Sequence, residues 1–400
     1  MPVLPTTLVD LLGRLTDRES TRSEADIQAD VRQLFLTAPF QLEEDDVRNV
    51  LLESQLGDRR RIDVEVGSTV VEVKRDLRKG KVKTEALEQL AGYVATRTDK
   101  TGRRYVGMLT DGVDWVCYHL VQDELKEVSS LTVKEGKAEL DRLIFWLEGV
   151  LATAKGIKPT AEEIAARLGA RSSAYALDRA TLSQLYALNR KLPTLQMKRT
   201  LWSRLLTSAL GTQFEDTDDL FIEHTLLVNS AEIIAHAVLG LPVEALAPAS
   251  LLSGAKFDES EIYGVVEADF FDWVLEVDGG EAFVRALARR LGRFDWSTVE
   301  QDVLKVLYES VIGTETRKRL GEYYTPDWLA EVMVDEMVTS PLDHRVLDTA
   351  CGSGTFLFHA IRKYISAAEE AGMPLDAILK GVTNHVLGMD LHPVAVTSRA

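Results

Sequence analysis

Thiols, long apolar runs and positive charge are all scarce in this chain of 400 residues. Cys117 and Cys351 are the only cysteines and no Cys-x-x-Cys spacing occurs, so neither a disulfide framework nor a thiolate zinc site can be assembled; a reducing cytoplasm is the expected compartment. No apolar stretch is long enough to span a bilayer, since Leu143-Ile-Phe-Trp-Leu147 is broken at once by Glu148. The N-terminus lacks the basic-then-apolar layout of a secretory signal, and no membrane partner is expected. Lysine and arginine number 46 against 63 aspartates and glutamates, and the net charge of −17 argues against a polyanion spread over the whole surface. Distribution qualifies that sum. Between Asp58 and Lys83 stand nine basic residues (Arg59, Arg60, Arg61, Lys74, Arg75, Arg78, Lys79, Lys81 and Lys83) against five acids, which either face a polyanion or form a solvated face.

What is present reads as a folded protein: 46% of residues are hydrophobic and 27% charged. Four hundred residues exceed what one core organises, so two or three domains are expected. Ser23-Glu-Ala-Asp26 has the form of a capping box, and Ile27, Val31, Leu34 and Phe35 follow at helical spacing. Residues 61–66 and 69–74 are β-branched runs around Gly67-Ser68 and predict a hairpin; residues 85–95 predict a helix; 104–110 and 113–118 predict a second hairpin around Asp111-Gly112. The pattern breaks near residues 154–159, and Thr160 to Glu163 opens a helix-rich stretch. In that stretch His224 and His236 are twelve apart on helices and read as core or capping histidines rather than metal ligands. Val303, Leu304, Leu307, Tyr308, Val311 and Ile312 then form an apolar helical stripe, and a helix from Pro326 is expected to bury Leu329, Val332, Met333 and Met337. The expected organisation is α/β multidomain: a mixed α/β domain over 1–152, a helical connector over 153–301 and the opening of a doubly wound sheet over 302–400.

The first chemistry lies in the predicted hairpin. Asp63 stands on one strand, while Glu72 and Lys74 share a face of the next. Two carboxylates and a lysine in this relation suit a divalent metal, with Mg²⁺ matching the oxygen donors, and an attacking water beside it. A strand that alternates Glu and Lys is also a common solvated pair. Together these residues resemble the PD-(D/E)xK nuclease family. The resemblance implies a restriction-endonuclease-like core with Asp63 and Glu72 as metal ligands and Lys74 as the residue that orients water. It further implies a role for Gln89 on the following helix and, more loosely, for Glu24 on the preceding one. Ile62 replaces the family's proline.

The second chemistry is the run Asp348-Thr-Ala-Cys-Gly-Ser-Gly-Thr355. A Gly-x-Gly turn between a strand and a helix lets backbone approach a ligand and aims helix N-terminal amides at it. Asp348 at the strand end suits a cationic amino group, and Asp390, 42 positions on, closes a second strand where ribose hydroxyls are expected. With the upstream Gly321-Glu-Tyr-Tyr-Thr-Pro326, this run resembles the DNA amino-methyltransferases that act on adenine N6, above all those fused to nucleases; Thr349 replaces a proline of the family pattern. The resemblance covers about residues 302–400. It implies a Rossmann-like methyltransferase sheet, S-adenosylmethionine as cofactor, and cofactor contacts from Tyr324, Thr325, Asp348, Gly352, Gly354 and Asp390. The family's catalytic tetrad, Asn or Asp followed by Pro-Pro-aromatic, is absent. The chain is therefore expected to be the N-terminal part of a longer enzyme, able to bind the methyl donor but not to transfer the methyl group.

The resulting expectation is a restriction-modification enzyme of the single-chain type acting on double-stranded DNA. Two rivals share the same residues: a phage-defence methyltransferase with an inert nuclease-like domain, and a non-catalytic, cofactor-sensing DNA-binding module. Nothing in the sequence sets an oligomeric state.

Overall fold

The computed structural model describes residues 7–390 apart from 20, 43–46, 48–49, 51–53, 57–59, 211–214, 260–265, 267–268, 300–301, 314–316 and 318–324, and describes only the backbone of 54–56, 60–61 and 209–210. The chain forms two compact units: one of Met1–Ile157, Arg171–Gln184 and Arg285–Arg293, the other of Lys158–Ala170, Leu185–Val284 and Phe294–Ala400. It is an α/β protein of more than one unit. Among the described residues, no helix is long and apolar enough to cross a membrane.

The first unit is built on a five-stranded mixed sheet. Helices α1 (Leu8–Thr16) and α2 (Glu24–Thr37) each start from a reciprocal capping box, Thr7 with Asp10 and Ser23 with Asp26. These boxes satisfy amides that have no partner within the helix. A short antiparallel pair, β1 (Ser54–Leu56) and β2 (Arg60–Ile62), precedes the main sheet. The main sheet runs β3 (Val64–Val66), β4 (Thr69–Val73), β5 (Val106–Thr110), β6 (Asp114–Val121) and β7 (Glu124–Thr132) in sequence order. Strands β4 and β5 are parallel, and the long helix α3 (Gly80–Thr101) makes the crossover that a parallel pair requires. The other neighbours are antiparallel.

Both faces of this sheet are covered. Val64, Val71, Val73, Met108 and Trp115 pack with Leu11, Val31, Leu34 and Phe35 of α1 and α2 and with Leu143 and Leu147 of α4 (Lys137–Leu151). Val70, Leu109 and Val116 pack with Ala86, Leu90, Tyr93 and Val94 of α3 on the other side. A strand covered on both faces buries every residue, and all five residues of β4 are buried, Glu72 among them. Buried ion pairs close the unit: Arg290 meets Asp178 at 3.0 Å and donates to the Gly149 carbonyl at 2.8 Å, while Arg293 pairs with Glu148.

The structure departs from the expected elements at several points. The single strand expected over 61–66 is split at Asp63, because the Asp63 carboxylate accepts the Val73 amide at 2.9 Å and so replaces a ladder bond with a side-chain bond. The helix expected over 85–95 runs from Gly80 to Thr101. Strands β1 and β7 were not expected. β7 joins β6 through Gln122 and Asp123, both in the left-handed region at φ 49° and 67°, a hairpin turn made without glycine.

The second unit opens with α5 (Ala161–Leu168), capped by Thr160, and then takes in the C-terminal end of α6 (Ser173–Asn189), α7 (Pro193–Leu210) and α8 (Asp218–Val238). His224 and His236 lie fully buried on α8. His224 receives the Trp202 indole N–H at 3.3 Å, and the His236 ring stands edge-on to Phe257. After α9 (Gly280–Leu291), which begins in this unit, α10 (Val303–Val311) buries the whole expected stripe. Next come α11 (Asp327–Met337), β8 (Val346–Asp348), α12 (Thr355–Glu370), α13 (Leu375–His385) and β9 (Val386–Gly388), with β8 and β9 parallel. The expected burial on α11 fails for three of its four residues, while Leu329 is half-buried. Val332, Met333 and Met337 are exposed at 51%, 45% and 75%, and the helix instead packs through Ala330 and Val334, with Val334 joined by Val338 against Ala360 of α12. The side of α11 that α12 covers is thus the side of Val334.

Candidate active site and cofactor loop

In the first unit, the break at Asp63 is what carries its carboxylate to β4. One carboxylate oxygen is taken by the Val73 amide, and the other accepts the side-chain amide of Gln28 from α2. Arg32, one turn further along α2, donates to the Asp63 carbonyl through Nε at 3.0 Å and Nη2 at 2.8 Å. Glu72 faces the same region from the buried strand. Its Oε1 accepts Lys74 Nζ at 2.6 Å, and Oε2 is buried and finds no hydrogen-bond partner among the described residues. Lys74 Nζ also lies 3.4 Å from Glu24 Oε1. Thus Asp63, Glu72, Lys74 and Glu24 come together.

Gln89 does not touch these groups. It sits exposed on α3 and donates to the Tyr93 hydroxyl at 3.1 Å. Burial, followed by the Glu72 charge, raises the Tyr93 phenol above its usual value.

The electrostatics follow from the packing. Burial, reinforced by the Asp63 charge, pushes the Glu72 carboxyl up to about 7, and burial likewise raises Asp63. Burial alone lowers Lys74, but the hydrogen bond it donates to Glu72 and the charges of Glu72, Glu24 and Asp63 outweigh it, and the ammonium is held above its ordinary value. Two buried acids and one buried base therefore hold fewer negative charges than their sequence suggests. No group of three or more His, Cys, Asp or Glu side chains among the described residues is set to hold a metal ion. The candidate is a pair of carboxylates.

Nearby lie the basic residues of the sequence cluster. Arg78 is paired with Asp76 and Lys81 reaches Glu85. Arg75 and Lys79 are exposed and Lys83 is half-buried. Arg59 and the side chains of Arg60 and Arg61 lie outside the described residues.

In the second unit, Asp348 ends β8 and accepts the Ala350 amide at 3.1 Å, and its carbonyl accepts the Met389 amide at 2.8 Å. Gly352 and Gly354 both take left-handed backbone, φ 53° and 97°, which side chains resist. The turn's amides are not free as expected: Gly352 N–H donates to the Asp390 carboxylate at 2.8 Å and Gly354 N–H to the Cys351 carbonyl at 2.8 Å. The donors hold the turn itself, and the second strand is tied to the first by its own acid. Asp348, Gly352, Gly354 and Asp390 thus gather at one end of the β8–β9 pair. Thr325 is half-buried, and its carbonyl accepts Lys305 Nζ from α10; Tyr324 lies outside the described residues.

Four functional candidates escaped the sequence. Gln28 and Arg32 sit four apart on α2, as any solvated pair does, and only the fold shows that they hold Asp63. Tyr93 reads as an ordinary core aromatic. Asp302 precedes the apolar stripe of α10 and carries the signature of an N-cap, which it is: Oδ1 accepts Lys305 N–H at 2.9 Å. Its Oδ2 reaches into the glycine turn, accepting Ser353 Oγ at 2.7 Å and Thr355 Oγ1 at 3.2 Å, and burial raises this carboxyl.

The second unit therefore defines a strand, a glycine turn and a helix, with an acid after each of two parallel strands. Residues 299–378, which contain Asp302 and the whole turn, match the N-6 DNA Methylase family. No curated protein matches the chain. Among solved structures, the chain is similar to one described as the cryo-EM structure of a DrdV–DNA complex, with 15% identity and a TM-score of 0.34 over 98% of this chain. The chain spans 38% of the length of that protein.

Proposed function

We propose that residues 302–400 form the cofactor-binding part of an S-adenosylmethionine-dependent adenine-N6 DNA methyltransferase. A helical connector, 153–301, would join it to a nuclease-like domain, 1–152, in an enzyme of the restriction-modification kind acting on double-stranded DNA. The observation that carries the first half is the match of residues 299–378 to the N-6 DNA Methylase family. The residues fit the methyl donor. Asp348 is half-exposed at its strand end, and left-handed Gly354 leaves open the space that a Cβ would fill, with only the Leu357 side chain at its edge. A turn whose two glycine amides are spent internally also suits a ligand that carries an amino group and a ribose rather than a pyrophosphate. Asp348, Gly352, Gly354 and Asp390, with Tyr324 and Thr325, are the residues assigned to hold it. When bound, the cofactor supplies an electrophilic methyl group. The chain's own part is to fix the turn and present the two acids.

The nuclease half is carried by Glu72 Oε2, a buried carboxylate oxygen without a partner among the described residues, beside Asp63 and Lys74. An unsatisfied buried acceptor suits a hard cation, and Asp63 and Glu72 are the assigned Mg²⁺ ligands. When bound, Mg²⁺ supplies Lewis acidity at a phosphodiester. Lys74 donates to Glu72 and would orient water, and the exposed Arg75 and Lys79 suit backbone phosphates.

Two measurements test the halves separately. Calorimetric titration of S-adenosylmethionine into the full chain is expected to give saturable binding, weakened by about ten-fold or more in Asp348→Ala; no binding to the parent chain overturns the methyltransferase half. Mg²⁺-dependent cutting of unmethylated plasmid is expected to disappear in Lys74→Ala, and cutting that persists there overturns the nuclease half.

A further inference from the structure

The first turn of α10 touches both segments assigned to the cofactor. From it, Asp302 accepts the hydroxyls of Ser353 and Thr355 in the glycine turn, and Lys305, itself buried, donates to the carbonyl of Thr325. The two ends of this contact are locked together, because the Asp302 carboxylate also caps the Lys305 amide. Ser353 and Thr355 are both buried, so their hydroxyls need an acceptor inside the protein, and Asp302 is the one they find. The glycines contribute nothing to holding the loop by side chains, and left-handed backbone at Gly352 and Gly354 persists only where the surroundings fix it.

The geometry points to Asp302 as a positioning residue for the methyl-donor site: its carboxylate ties the α10 N-terminus to the glycine turn, while Lys305 ties the same helical turn to the Thr325 segment, so the two cofactor segments keep one spacing. This inference rests on the methyl-donor reading of the turn. It assigns Asp302 no contact with the cofactor itself.

Asparagine at 302 separates the two jobs of the side chain. It caps a helix as well as aspartate does, so α10 keeps its start, but it replaces the charged acceptor that the two hydroxyls share. Asp302→Asn in the full chain is expected to weaken calorimetric S-adenosylmethionine binding about ten-fold, the scale of one or two charge-assisted hydrogen bonds, with little change in the thermal midpoint. Ser353→Ala removes the same tie from the other side, and the double variant is expected to bind no more weakly than Asp302→Asn alone. Independently of any ligand, the amides of Gly352 to Thr355 are expected to exchange with deuterium faster in Asp302→Asn than in the parent. Parent affinity and parent exchange in Asp302→Asn, or losses that multiply in the double variant, overturn the inference. If Asp302→Asn does not fold by circular dichroism, Ser353→Ala decides alone: parent-like exchange and affinity there overturn the inference, and faster exchange with weaker binding supports it. A parent chain that binds no S-adenosylmethionine defeats the methyl-donor reading instead, and the exchange comparison still decides whether Asp302 holds the turn.

Discussion

The carboxylate site of the first unit and the glycine turn of the second hold acids in opposite ways. Asp63 and Glu72 are drawn into a sheet covered on both faces, lose hydration, and are held by Gln28 from α2 and by the Val73 amide and Lys74 at the end of β4. Asp348 and Asp390 lie half-exposed at the ends of two short parallel strands and spend part of their hydrogen bonding on the turn between them. In the first site the strand breaks at Asp63 and the buried carboxylates are under electrostatic load. In the second, two glycines take left-handed backbone. Perturbation should therefore act through charge in one site and through conformation in the other.

The largest effect expected from that contrast is at Gly354. A β-branched side chain at φ 97° is strained wherever it points, and Gly354→Val should cost about 3 kcal/mol in the second unit and more than about 100-fold in S-adenosylmethionine affinity. Mg²⁺ binding to the first unit should stay at the parent level. Calorimetry with each ligand in turn measures both, and loss of both together would end the distinction between a conformational and an electrostatic site.

Charge acts next, through pH. The Glu72 carboxyl titrates near 7 when folded and near 4.5 otherwise, so the folded chain holds this proton more tightly. The stability this gives is complete below about pH 4.5 and is lost as pH rises through 7, on the order of 3 kcal/mol in a metal-free buffer. Glu72→Gln cannot ionise, so its denaturation midpoint in urea with chelator should gain on the parent between pH 5 and pH 8. A constant difference across that range would mean that Glu72 carries no such load. Mg²⁺ affinity of the parent should rise over the same interval, as the proton leaves.

A smaller loss is expected at Gln28. It holds one oxygen of Asp63 from α2, and Gln28→Ala should cost about 1–2 kcal/mol of stability and weaken Mg²⁺ binding several-fold, leaving the cofactor loop untouched. Unchanged Mg²⁺ binding would mean that the strand break and the Val73 amide alone place Asp63.

The same contrast decides what the sequence made legible. The glycine turn is contiguous: strand, Asp348, Gly352, Gly354 and helix follow one another within about ten residues, and backbone that only glycine tolerates marks itself. The carboxylate site is scattered over α2, the break at Asp63, β4 and α3, and its residue types are common on any surface. Asp63, Glu72 and Lys74 were visible because a hairpin brings neighbouring strands together. Gln28, Arg32 and Tyr93 were not, because their relation to Asp63 and Glu72 depends on where helices land on the sheet. Asp302 showed only half its role: the helix cap is local, and its tie to Ser353, 51 positions on, is tertiary. The α11 face failed for the same reason, since an apolar pattern does not say which side a neighbouring helix will cover.

The smallest expected effect lies at the part of the sheet least legible in the sequence, the β6–β7 hairpin. Gln122 and Asp123 both adopt left-handed backbone there, at a cost glycine or asparagine avoids. Replacing them by Asn-Gly should raise the stability of the first unit by about 0.5–1 kcal/mol, measured as a higher urea midpoint. This turn is far along the sheet from β4, and it changes backbone strain without adding or removing a charge. If the carboxylate site is governed by charge and burial, as the contrast with the glycine turn holds, the stabilised variant should bind Mg²⁺ with the parent's affinity and the parent's pH dependence. A shift in either would mean that strain in the first unit's backbone reaches Glu72, and that the two sites differ less than their packing indicates.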